Sequence, residues 1–115
     1  MTKTQSGLSL LAFSLLVFSQ PSAHAQIVSD PAKIGAFSGA MRYCEDRYEG
    51  REGRYRWARL KSAEAISDMR GYERSRALVA SMHSYEEGRY LGSKLDRTEC
   101  RGLLKLSEWK QFFRD

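Results

Sequence analysis

The stretch DPAKIGAFSGAMRYCEDRYEG, residues 30–50, decides the fold class. It opens on Asp30, whose short carboxylate suits an N-cap. Pro31 follows, and its missing N–H is harmless in a first helical turn. Ile34, Phe37, Met41, Cys44 and Tyr48 then recur at spacings of three and four, which lays them along one stripe of a helix. Gly35, Ala36, Gly39 and Ala40 sit among them and are small enough to let a neighbouring backbone approach. Gly50 is a natural stop, so the pattern predicts a helix over 31–49.

Downstream, Arg51-Glu52-Gly53 reads as a turn. A second helix over 55–70 is expected, because Ala58, Ala63, Glu64, Ala65 and Met69 favour helix and no breaker precedes Gly71. Its apolar residues Trp57, Leu60, Ile66 and Met69 are spread around the axis. A third helix is expected from Tyr72 to Glu87 or Leu91, with Leu78, Met82 and Tyr85 as its core stripe and Gly88 and Gly92 as places to end. Asp96 with Glu99 forms the start signal of a fourth, which carries Cys100, Leu103, Leu104 and Leu106 at helical spacing and leads into Trp109, Phe112 and Phe113. The one short strand-like run is Arg54 to Trp57. The expectation is an all-α protein, a small four-helix bundle stapled by one disulfide.

Upstream, the first 25 residues have the three parts of a cleavable signal peptide. Residues 1–7 are polar and carry Lys3, residues 8–18 are an apolar run, and the segment ends in Ala23-His24-Ala25. The apolar run is too short for a membrane span, which takes roughly 20 residues. Residues 1–25 are therefore read as the signal peptide and 26–115 as a single helical domain, placed in the periplasm or outside the cell. Losing Lys3 lowers the net charge from +5 to +4, since all 14 acidic residues lie after the leader. A content of 42% hydrophobic and 29% charged residues argues against disorder.

Cys44 and Cys100 are an even pair in a chain bound for an oxidising compartment, so they are expected to bond and to tie the first helix to the fourth. Closing so long a loop stabilises by about 4 kcal/mol. No C-x-x-C spacing is present, so the bridge reads as structural.

Few residues suit catalysis. His83 is the one histidine left after the leader, with Glu86 and Glu87 as neighbouring carboxylates that would serve an envelope enzyme. The pairs Glu45–Asp46 and Glu49–Glu52 read as a mixed-charge surface. Bonded cysteines would make no nucleophile, the Cys and His ligands of a zinc site are missing, and no glycine pattern cradles phosphate. The expectation is no metal, no cofactor and no enzymatic activity.

The most suggestive segment is REGRYRWARLK, residues 51–61. It interleaves arginines with Tyr55 and Trp57, the residue types that concentrate at binding hot spots, and Arg54, Tyr55, Arg56, Trp57 and Arg59 are the candidate binding residues. The partner expected is another protein of the envelope, met by an inhibitor, immunity protein, adaptor or chaperone. The alternative is an anionic component held by the arginine-rich stretch, such as a lipid head group or, less favoured, nucleic acid.

Overall fold

The computed structural model describes residues 30–50 and 52–112. The expected signal peptide (residues 1–25), Arg51 and Phe113 lie outside the described residues. In order, the chain forms α1 (Pro31–Tyr48), α2 (Arg54–Ser67), α3 (Gly71–Glu87), a small hairpin of β1 (Arg89–Tyr90) and β2 (Ser93–Lys94), α4 (Arg97–Lys105) and a terminal 3-10 helix (Ser107–Phe112). The protein is mostly helical, with four α-helices among the described residues and a Cys44–Cys100 disulfide.

α1 starts where its cap places it, with the Asp30 carboxylate accepting from the Ala32 N–H at 2.9 Å. It is the central helix. All eight residues from Ile34 to Met41 are buried, so the single apolar stripe expected from the sequence is corrected to burial on every side. The small residues between the large ones are the reason. They let α2 and α3 come down onto the faces that Phe37 and Met41 do not fill. α3 runs parallel to α1, with Ala77 over Gly35 and Ser81 over Gly39. The fit has no slack: a Cβ on Gly35 would stand 2.7 Å from the Ala77 carbonyl carbon, and one on Gly39 would stand 2.9 Å from that of Ser81. α2 returns antiparallel and buries Tyr55, Ala58, Ser62 and Ile66.

This close approach overturns the core stripe expected on α3. Leu78 is 52% exposed and Met82 is 51% exposed. With Gly35 and Gly39 opposite, only small residues fit in the interface, so Ala77 and Ser84 are the buried residues of α3. The large side chains are thereby turned outward. Tyr85 is half-buried and donates its hydroxyl proton to the Asp46 carboxylate of α1 at 2.6 Å.

α2 ends at Ser67, short of the expected 70, in a tightened turn where the Met69 N–H bonds the Ile66 carbonyl at 3.0 Å. Gly71, with φ +54, then redirects the chain into α3. α3 stops at Glu87 because Gly88 takes φ +65, and the Tyr43 ring lies against it where a Cβ would stand. The hairpin beyond was not foreseen. Its turn needs positive φ at both Leu91 (48°) and Gly92 (91°), and Leu-Gly is a poor advertisement for that geometry.

The far side of α1 is closed by aromatic rings from the chain's end. Trp109, fully buried, stacks on Phe37 with centroids 4.3 Å apart, and Phe112 and the edge of Tyr90 complete the cluster. Burial pushes the Tyr90 phenol well above its ordinary range. α4, capped by Asp96 through the Glu99 N–H at 2.8 Å, contributes Leu103, Leu104 and Cys100. Leu106, expected within the fourth helix, lies just past its end at Lys105 and is 42% exposed.

Candidate functional site

The candidate binding residues of α2 do not share one face. Tyr55 points inward and is buried, while Trp57 is 41% exposed beneath the Lys61 ammonium, which lies 5.3 Å from the ring centroid. The arginines find acids of this same chain. Arg54 pairs with Glu52 at 3.0 Å. Arg59 forks onto both carboxylate oxygens of Glu45, and Arg56 reaches that carboxylate at 3.4 Å while its backbone N–H bonds Glu49. Glu45 is thus a clamp between α1 and α2, 16% exposed at its side chain. The exposed large apolar residues of this stretch are Trp57 and Leu60, the latter 46% exposed.

The clamp is titratable. The Arg59 hydrogen bonds, helped by Arg56 and opposed by partial burial, hold the Glu45 carboxyl below its ordinary range. A depressed carboxylate pKa stabilises the fold above the unfolded value, about 4.3, and that contribution is lost as pH falls through the lower folded value. Glu45→Gln should therefore lower stability by about 1–2 kcal/mol at neutral pH. The gap to wild type should shrink towards pH 3. Urea titrations at the two pH values check this, and an undiminished gap in acid would remove the ion pair as the cause.

His83 meets Glu87 one turn along α3 at 3.5 Å, with both side chains well exposed; Glu86 points elsewhere on the helix. Among the described residues no group of three or more His, Cys, Asp or Glu is placed to hold a metal.

Four exposed large apolar side chains lie on α3, among them Leu78 and Met82 of the expected core stripe. Tyr72 (77% exposed), Leu78, Val79 and Met82 fall within one arc of the helix, opposite the arc that carries Ala77 and Ser84. The ridge stands between two open hollows. One, of about 450 Å³, lies between Ala32 of α1 and Tyr72, Val79 and His83 of α3, and its lining is almost wholly apolar. The other, of about 370 Å³, runs between α2 and α3, walled by Ile66, Arg74 and Leu78. The signal was present in the sequence as the facing small residues Gly35, Gly39, Ala77 and Ser81. Periodicity alone reports which residues share a face and is silent on which face turns inward.

A second feature is a row of cations on α4. Arg97, Arg101 and Lys105 are spaced by four along α4 and border a cleft of about 490 Å³ at the C-terminal end of α1. Tyr48 and Tyr55 also line it, and the Arg97 guanidinium lies 5.0 Å from the Tyr48 ring centroid. Burial raises the Tyr55 phenol pKa, against the pull of Arg101 and Arg97, so its hydroxyl keeps its proton at neutral pH.

The bridge between Cys44 and Cys100 suits an oxidising compartment, and among the described residues no helix is long and apolar enough to cross a membrane. No protein-family model matches the chain, and neither a curated protein nor a solved structure matches it.

Proposed function

We propose that this is an exported, non-catalytic binding module that engages another envelope or secreted protein through the outward side of α3. The observation that carries the reading is the inverted arrangement of that helix. Its small residues face the core, and Tyr72, Leu78, Val79 and Met82 face solvent. Leaving apolar area of this kind in water forgoes about 25 cal/mol per Å², and clustered exposure marks interaction surfaces. A ridge flanked by hollows also suits a partner helix laid alongside. The partner's chemistry follows from the rim. Arg74 lines the hollow beside Leu78 with no ion pair among the described residues, and without the leader the chain carries a net +4. An apolar helix with an acidic flank is the complementary surface. Export is supported by the leader-like first 25 residues and by the disulfide. The polyanion reading of residues 51–61 loses support because Arg54, Arg56 and Arg59 are matched to Glu52 and Glu45.

The test compares wild type with the double variant Leu78→Glu/Met82→Glu. Both side chains are half in solvent, so folding stability should change by less than about 1 kcal/mol. Immobilised wild type should retain an acidic protein from envelope extract through a high-salt wash, and the variant should release it. Identical retention by both would overturn the reading. Wild type sedimenting as a dimer with the variant monomeric would reassign the surface to a second copy of the chain.

A further inference from the structure

The cleft bordered by α4 is not explained by stability. Like charges four residues apart on a helix repel, so Arg97, Arg101 and Lys105 make α4 less stable than neutral residues would. Among the described residues no acidic side chain stands within ion-pair distance of any of the three, whereas Arg54 on the same rim is already held by Glu52. Two guanidinium groups and an ammonium thus border one concavity with no ion pair of their own among the described residues. The floor adds a neutral donor in the Tyr55 hydroxyl and apolar walls in Tyr48 and Leu104. The other rim carries Glu49 and Glu52, and Glu49 is pinned by the Arg56 N–H at 3.0 Å.

We propose that this cleft receives a side-chain carboxylate from an acidic peptide segment, resting on the reading that the partner is a protein. Guanidinium groups take a carboxylate through paired N–H donors. The stem of an Asp or Glu would lie along Tyr48 and Leu104. The peptide N–H groups beside it would face Glu49 and Glu52, which accept them. A continuous phosphate chain fits less well, because it has no N–H groups to offer the two glutamates. This site is separate from the outward side of α3, and it gives the partner a second point of attachment.

The experiment is an NMR titration of isotope-labelled protein, expressed from its full coding sequence, with the blocked peptide acetyl-Gly-Glu-Asp-Glu-Gly-amide. The Nε–Hε signals of Arg97 and Arg101 should shift and saturate. The matched peptide with Gln and Asn in place of the acids should leave them unmoved. Arg101→Glu should weaken binding by about tenfold or more, the loss of one charge-assisted contact. Leu78→Glu/Met82→Glu should leave the titration unchanged. Equal responses to the acidic and the amide peptides, or a response that never saturates, would overturn the proposal. Tighter saturation by inorganic phosphate than by the peptide would also overturn it. Because the peptide reports on the cleft alone, loss of protein capture with an intact titration would fault the α3 reading and spare this one.

Discussion

Gly39→Ala is expected to destabilise the protein by about 3 kcal/mol or more, and Gly35→Ala by a similar amount. The sign is opposite to ordinary helix propensity, under which Gly→Ala in a helix interior gains about 1 kcal/mol. Both glycines lie mid-helix in α1, and the added methyl would meet the backbone of α3 at Ser81 or Ala77. A flexible side chain could yield, but a helix backbone with its hydrogen bonds made cannot. The two helices would have to separate along their length. Gly102→Ala in α4 is the matched control, because nothing stands within 4 Å of a Cβ built there. That variant should gain about 0.5–1 kcal/mol. Urea unfolding followed by far-UV circular dichroism measures all three. Wild-type stability in Gly39→Ala would mean that α3 does not sit this close, and the outward display of Leu78 and Met82 would lose its physical cause.

Removing the bridge is the other large effect. Cys44→Ala/Cys100→Ala, or full reduction of the wild type, should lower stability by about 4 kcal/mol, given a separation of 56 residues between the cysteines. Small domains hold only about 5–15 kcal/mol in total, so reduced protein should be partly unfolded at 37 °C. Both cysteines are fully buried, which adds a packing loss to the chain-entropy effect. The bridge also holds α4 against α1, with Cα atoms 5.8 Å apart, and so keeps Arg97 and Arg101 opposite Tyr48 and Tyr55. Reduction should therefore abolish the acidic-peptide response before the rest of the helical signal is lost. Oxidised and reduced proteins unfolding within about 1 kcal/mol of each other would refute the loop-closure argument.

The departures of α2 and α3 from their expected faces share a physical cause. Leu78 and Met82 lie on a common helical face, as periodicity implied, but Ala77 and Ser84 occupy the side that meets α1. In Tyr55 and Trp57 the reverse holds: neighbours in one aromatic motif point to opposite sides, one into the core and one into solvent. The cations of α4 were legible as a spacing of four. What gave that spacing meaning was Tyr48 and Tyr55 standing across from it, some forty to fifty residues earlier in the chain.

Local chemistry was enough to place the helices. Asp30 and Asp96 cap helix starts, Gly88 ends one with a left-handed backbone, and the two cysteines pair, because each of these outcomes depends on a few adjacent groups or on an even thiol count. Orientation was decided elsewhere. Which side of α3 turns inward depends on how closely another helix can approach. Gly35 and Gly39 admit Ala77 and Ser81 there and leave no room for Leu78 or Met82, and that contest exists only once the two helices lie side by side.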